Sequence, residues 1–247
     1  MTDQTISLIA VGDIMLGDFP LTFGFGVRSM IDNGTDIFKN VEQIFQNKDI
    51  CFGNLECVLS DNNLNKSDID SQILRGSPAA INILKKANFN VLAIANNHIM
   101  QHGETAFRET KALLEQAKIL PVGVSEGESG KCVSQYLEVK GLKICFLGYS
   151  HRPEKYNKKK LYSHGGKEKI VEQIRECASL SDIVILSLHW GDEFINTPSI
   201  DQVVDAHAYV DAGASIILGH HPHILQGVER YNGAVIAYIL GNFVFDF

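Results

Sequence analysis

Histidine and carboxylate residues recur where short apolar runs of this chain end. Asp13 closes ISLIAVGD, Asn54 and Glu56 follow DICFG, and Asn97 and His98 follow FNVLAIAN. His189 closes DIVILSLH, and His220, His221 and His223 follow ASIILG. Of the nine histidines, His98, His102, His189, His220, His221 and His223 fall at or just past such ends. Imidazole and carboxylate together suit transition-metal ions such as Zn, Mn and Fe. In His221-Pro222-His223 an extended backbone puts both imidazoles on one side, and the proline ring stiffens the link between them. Each residue also has a structural explanation taken singly. A lone strand-end histidine can be a hydrogen-bonded structural group; Asp13 can cap a turn, and Asn96-Asn97 can be a turn pair. The joint pattern of His189, Asn97 and the His221/His223 pair makes a metal site the better explanation.

The elements that must position these groups read as strand alternating with helix. Apolar runs at 6–13, 49–54, 89–96, 182–189, 214–220 and 235–242 are strands by length and composition. Helical patterns lie at 79–87, 104–117, 166–180 and 198–212. Residues 133–139 and 142–149, joined by Lys140-Gly141, predict an antiparallel hairpin. The expectation is an α/β protein with a mixed sheet, or two stacked mixed sheets with helices outside, in which ligands gather at the carboxyl ends of strands. Residues 18–34, 60–78 and 152–160 fit no regular element, and long loops of this kind are candidate lids or substrate walls. No repeat, low-complexity tract or linker divides the chain, so one domain over 1–247 is expected.

At 247 residues, with 45% apolar and 21% charged residues, the chain can bury a sizeable core and has neither a disordered nor a fibrous composition. Its net charge of −7 argues against broad nucleic-acid or anionic-lipid binding. No apolar run approaches the ~20 residues that a bilayer span needs. Polar Thr2, Asp3 and Gln4 lead directly into the first strand with no basic region before an apolar one. Five cysteines, an odd number without zinc-finger spacing, fit a reducing compartment. A cytoplasmic chain without signal peptide or membrane span is the expectation.

The ordered set VGDIMLGD (11–18), GNLE (53–56), ANNH (95–98) followed by His102-Gly103, LHWGDEF (188–194), GHHPHILQGVE (219–229) and YILGNFVFD (238–246) resembles the CapA family. These are poly-γ-glutamate capsule biosynthesis proteins of the calcineurin-like metallophosphoesterase superfamily. The resemblance implies a four-layer αββα sandwich with one or two divalent ions, Mn, Fe or Zn, at the strand ends. It implies Asp13, Glu56, Asn97, His189, His221 and His223 as metal ligands, and His98 as the group that stabilises or protonates the leaving group, with Asp13 and Glu56 counted in the catalytic set. It places His220, Asn54 and Asn242 in the wall of the site. One departure stands out: Met15 occupies a position where the superfamily carries a histidine, so one metal position loses an imidazole. Gln101 stands where relatives commonly carry aspartate, and Asp18 lies close to where they carry arginine.

Substrate contacts are less determined. Arg28, Arg75, Arg152 and Lys155 lie in irregular segments and either receive carboxylate or phosphate groups or are solvated loop charges. Trp190 follows His189 and either lines the pocket or packs in the core; His102 either orients His98 from one helical turn away or is solvated. Three functions are compatible with these residues. The first is a metal-dependent hydrolase of a phosphoester, or of an amide in a polyglutamate or peptide substrate, linked to capsule poly-γ-glutamate. The second is an epimerase-like acid–base enzyme that modifies peptides on the same fold, and the third is a non-catalytic capsule-assembly or binding protein. The sequence leaves the oligomeric state open.

Overall fold

A computed structural model describes residues 5–152 and 160–246. Lys155, one of the candidate anion-binding residues, and most of the irregular segment 152–160 lie outside the described residues. Two sheets carry the molecule. The first, in the order β11-β1-β2-β3-β4, contains β1 (Leu8–Ile14), β2 (Ile50–Leu55), β3 (Val91–Ala93), β4 (Leu120–Val122) and β11 (Asn242–Val244), all paired in parallel. The second runs β5-β6-β7-β8-β10-β9. It contains β5 (Gln135–Val139), β6 (Leu142–Ser150), β7 (Ile183–His189), β8 (Ile216–His220), β9 (Val228–Tyr231) and β10 (Ala234–Ala237), with antiparallel pairs at its two edges.

Three apolar clusters define four layers. Ile50, Phe52, Val91 and Val122 of the first sheet meet Ile144, Phe146, Ile185 and Leu218 of the second. These side chains fill the space between the sheets, and each buried residue of this size contributes about 1.5–3 kcal/mol. On the far side of the first sheet pack α1 (Val27–Asp32), α2 (Glu42–Phe45), α4 (Ala80–Lys86) and α5 (Gly103–Gln116), through Ile31, Phe45, Leu84, Phe107 and Leu114. The short α3 (Ile69–Gln72) lies within the 60–78 segment. On the far side of the second sheet, α6 (Lys167–Ala178) and α7 (Ile200–Asp211) bury Ile170, Ile174, Ala206 and Tyr209. Ser199 starts α7 with a capping box, its hydroxyl accepting from the Gln202 amide and its own amide donating to the Gln202 side chain. The αββα sandwich is the architecture the family resemblance implies, with one correction: the first sheet is wholly parallel and only the second is mixed.

Three further sequence expectations are corrected. The run 235–242 is not one strand: it pairs as β10 in the second sheet, crosses over, and begins β11 in the first. Both sheets bury apolar residues on both faces, so a continuous apolar run carries no mark of the crossing. Short helices, α1 and α3, occur in segments read as irregular, and Asp68 caps α3 by accepting from the Asp70 amide. The short strands β4 and β9 and the helix α2 add to the expected elements; β4 tolerates Pro121 because it is an edge strand.

The crossing fixes the two sheets against each other. Leu240 donates its amide to the Gly219 carbonyl of β8 at 2.9 Å, and Asp13 of β1 donates to the Gly241 carbonyl at 2.8 Å. No side chain fits beneath that peptide. A Cβ on Gly12 would lie 1.8 Å from the Gly241 carbonyl oxygen, and one on Gly219 would lie 1.6 Å from that of Tyr238. The glycines before Asp13 and His220 therefore let the crossing chain approach both strand ends.

Candidate metal centre at the strand ends

Register places the functional residues in two rows. In the first sheet Asn242, Asp13 and Asn54 are neighbours across β11, β1 and β2; in the second Ser150, His189 and His220 are neighbours across β6, β7 and β8. Glu56 lies two residues beyond Asn54, and Asn96 to His98 lie just beyond β3. Stacking the sheets brings the rows together. Asn54 Nδ2 donates to Asp13 Oδ1 at 2.8 Å and lies 3.5 Å from His189 Nδ1, joining the sheets through one amide. His189 Nε2 then faces Asn97 Oδ1 at 2.6 Å and Glu56 Oε1 at 3.4 Å. Asp13 Oδ2 accepts from the His221 amide at 3.2 Å and lies 3.5 Å from His223 Nδ1, while its Oδ1 lies 3.4 Å from His220 Nδ1. The His189 and His221 rings are 4.7 Å apart. His221 and His223 both take positive φ, 101° and 62°, a costly conformation for non-glycine residues, so the His-Pro-His segment is bent and not extended as its sequence suggested.

Burial and neighbouring charges shift the ionisable groups of this centre in different directions. Burial, then the nearby Asp13 charge and Glu193, hold the Glu56 carboxyl well above its ordinary value. Burial opposes ionisation of Asp13 too, but His220 and the Asn54 amide outweigh it and hold that carboxyl below its ordinary value. Burial, followed by the surrounding imidazoles, keeps His189 well below the usual histidine range. Burial, then Arg152 and His223, pushes His221 down to about 4. Neutral imidazole is the form that coordinates metal.

Whether these residues fit a divalent ion is tested by the polar atoms left over. Both Glu56 oxygens and both ring nitrogens of His220 and His221 are buried without a hydrogen-bond partner. Each such group costs about 1–3 kcal/mol, more where a charge is involved, and native interiors rarely leave several together. Glu56, His221 and His223 each offer a ligand atom within 4.8 Å of the others. Ligand bonds of ~2.0–2.2 Å set opposite donors ~4.4 Å apart, so small side-chain shifts suffice. One buried carboxylate and two imidazoles form a donor set of the kind that takes a divalent ion. The residues fit the ion.

The remaining candidates are placed as follows. His98 is half-buried, and its Nδ1 lies 2.8 Å from Gln101 Oε1, so Gln101 rather than His102 orients the ring. His102 precedes α5, which starts at Gly103, and its Nε2 donates to the Ile73 carbonyl at 3.0 Å; burial pushes this imidazole to about 4. Asn242 Oδ1 lies 2.9 Å from His223 Nδ1, at the exposed rim. Trp190 is buried, donates to the Tyr238 carbonyl at 3.1 Å and stacks on Tyr238; it belongs to the core and does not line the pocket. Arg75 also stands apart from the cluster. Its buried guanidinium donates to the carbonyls of Ser60, Ser71 and Asn62, bracing the 60–75 segment from within. Arg28 is engaged by Asp61 at 2.5 Å and by the Arg75 carbonyl at 3.2 Å. Met15 is fully buried in the outer core of the first sheet and offers no ligand to the pocket.

Two side chains that the sequence did not assign to the site bear on it, one by contact and one by charge alone. Asn96 is fully buried; it donates to Asn54 Oδ1 at 3.2 Å and the Leu55 carbonyl at 2.8 Å, and accepts from the His98 and Ile99 amides at 3.2 and 3.0 Å. It thus ties Asn54 to the turn that carries His98, the turn that the Asn96-Asn97 pair suggested in the sequence. The second is Glu193 in the exposed loop after β7, whose charge reaches both Glu56 and His98.

Comparison with solved structures supports the fold class. A candidate 5'-nucleotidase from Staphylococcus aureus, solved with alpha-ketoglutarate, superposes with a TM-score of 0.60 at 14% identity, covering 94% of this chain and 48% of that one. A hypothetical protein from Thermus thermophilus gives 0.58 at 18% identity, covering 96% and 76%. The chain thus shares its overall fold with these two proteins. The bacterial capsule synthesis protein PGA_cap family matches residues 7–247, and the chain belongs to that family. It is 38% identical to the PGA biosynthesis protein CapA of Bacillus subtilis (strain 168) and 33% identical to the capsule biosynthesis protein CapA of Bacillus anthracis, covering 99% of this chain in both. The chain spans 64% and 61% of the lengths of those relatives. Among the described residues no helix is long and apolar enough to cross a membrane.

Proposed function

We propose that the chain is a metal-dependent hydrolase that cleaves a phosphoester, or an amide of a polyglutamate or peptide substrate, in the service of capsule poly-γ-glutamate synthesis. The observation that carries this reading is the buried, unpartnered Glu56 carboxylate converging with His221 and His223 at the strand ends. Asp13, Glu56, Asn97, His189, His221 and His223 would hold one or two divalent ions. Such an ion supplies Lewis-acid polarisation of the scissile group and a nucleophile at neutral pH.

The chain's own residues do the rest. Asn54 sets the Asp13 carboxylate and the His189 ring relative to each other across the two sheets, and Asn96 fixes Asn54. Gln101 accepts from Nδ1 of His98, which leaves Nε2 of the neutral ring as the proton-accepting atom. Burial lowers the His98 value, so the ring is neutral at pH 7 and can take a proton at Nε2 and return it to a leaving oxygen or nitrogen.

Replacing His98 by alanine is expected to lower kcat by ~10²–10⁴-fold while divalent-metal content stays unchanged. The assay is a panel of phosphomonoesters, phosphodiesters and γ-glutamyl peptides with Mn²⁺ added, run alongside deuterium incorporation at Cα in D₂O. Turnover of a phosphoester or amide that His98→Ala abolishes supports the hydrolase. Cα exchange without cleavage indicates the epimerase-like chemistry instead, and unimpaired turnover by His98→Ala contradicts its role.

A further inference from the structure

The loop after β7 crosses the rim of the metal centre and is pinned on both sides. Phe194 donates its amide to the Pro222 carbonyl, between the two histidines, at 2.9 Å. On the other side Arg152, two residues beyond Ser150, donates from Nη1 to the Gly191 carbonyl at 2.8 Å and to Asp192 Oδ1 at 3.1 Å. The intervening backbone is held too, since the His151 amide donates to the His189 carbonyl at 3.0 Å. Phe194 adopts φ 61°, unusual for a large side chain and of the kind concentrated at ligand sites. Its ring lies 6.1 Å from that of His223.

The charge distribution along this rim is lopsided. The loop carries the exposed Asp192 and Glu193, and the Asp13 carboxylate is buried within the centre, so an anionic substrate meets repulsion unless a cation receives it. Arg152 is about one-third exposed, and no partner for its Nε and Nη2 is found among the described residues. A guanidinium held by one edge with the other edge open is preorganised for a bidentate oxyanion contact.

Building on the hydrolase reading, we infer that Arg152 is the anion-receiving residue of this site, binding a substrate carboxylate or phosphate at the loop that follows β7, with Asp192 as the internal carboxylate that competes for it. Aspartate at 192 both pins Arg152 and neutralises it. A merely structural role for the pair, holding the loop, makes loss of either partner harmful in the same direction. An anion-receiving role separates them: Arg152→Ala loses the contact, whereas Asp192→Asn leaves the guanidinium more available.

The test is calorimetric titration of inorganic phosphate and of γ-linked triglutamate into the full chain at low salt, with and without Mn²⁺, for wild type, Arg152→Ala, Arg152→Lys and Asp192→Asn. Arg152→Ala is expected to weaken the preferred probe by about 10–100-fold, the scale of a charge-assisted hydrogen-bond pair. Arg152→Lys retains part of the affinity, and Asp192→Asn binds at least as tightly as wild type. The probe more sensitive to Arg152 identifies the oxyanion as carboxylate or phosphate. The inference is overturned if wild type binds neither probe at millimolar concentration, if Arg152→Ala is unaffected, or if Arg152→Ala and Asp192→Asn weaken together. Mn²⁺ binding by the same samples separates this outcome from failure of the hydrolase reading. Arg152-dependent anion binding without Mn²⁺ binding leaves the inference standing and removes the metal enzyme, and Mn²⁺ binding with indifference to Arg152 does the reverse.

Discussion

Glu56→Gln is expected to abolish tight divalent-metal binding while leaving the metal-free protein at least as stable as wild type. These two effects, opposite in sign, come from one buried carboxylate. With no cation, Glu56 sits fully buried next to Asp13 and carries two oxygens without partners. A neutral amide cannot ionise there and can donate to the acceptors around it. With a cation, the same carboxylate supplies charge and a ligand bond, and its loss costs at least the ~10–100-fold in affinity found for outer-shell partners of metal ligands. Saturating metal at about 100 times its Kd stabilises a binding protein by about 2.7 kcal/mol, which in a chain of this size raises Tm by roughly 5–10 °C. Wild type should show that rise and Glu56→Gln should not.

The pH dependence of the metal-free proteins has a determined sign. Because the folded Glu56 value is raised above the ordinary 4.5, the folded state binds the extra proton, and its stability contribution is present below 4.5 and lost as pH rises through the raised value. The amide variant lacks this loss, so the difference in Tm between Glu56→Gln and wild type should widen in favour of the variant as pH increases from 4.5. His221 titrates oppositely, losing stability as pH falls from 6.5 towards about 4; because it adjoins Glu56 it responds to the substitution, so the difference is read above pH 6.5, where His221 no longer titrates. A Glu56→Gln protein that is much less stable than wild type without metal would contradict this assignment.

The second large effect concerns the crossing between the sheets. Gly219→Ala is expected to destabilise the protein by more than about 3 kcal/mol, with a fall in Tm of roughly 6–12 °C, because the new methyl group would meet the Tyr238 carbonyl oxygen at 1.6 Å. Neither atom is the end of a flexible side chain, so backbone must move, and the residue that moves with it is His220. Gly227→Ala provides the control, since a Cβ there meets nothing within 4 Å; its change should stay within about 0.5 kcal/mol. Urea denaturation of the two variants checks the pair. Equal stabilities would mean that the crossing peptide does not pack as described.

Particular residues show why some of this was legible in the sequence. The strand ends were readable because each apolar run stops on Gly, Asn, Asp or His, and the register rows Asn242–Asp13–Asn54 and Ser150–His189–His220 make neighbours of residues that are far apart in the chain. The passage from Ala237 to Asn242 was not readable, since pairing with β8 or with β1 demands the same apolar character. Arginines in loops look alike as sequence. Only packing separates Arg75, turned into its own segment, from Arg152, open at the rim. Trp190 and His189 are adjacent, yet strand alternation sends one into the outer core and the other into the centre. Asn96 and Glu193 carry no distinctive spacing: one reaches the centre through a turn and the other through a loop.

The most direct measurement is calorimetric titration of Mn²⁺ or Zn²⁺ into chelator-stripped protein, for wild type and His221→Ala, with circular dichroism of both to establish that they are folded. Saturable binding of one or two ions per wild-type chain, lost or weakened at least ~10-fold in a folded His221→Ala, is the predicted result. No binding by folded wild type, or binding that His221→Ala leaves unchanged, would contradict a metal centre at these strand ends.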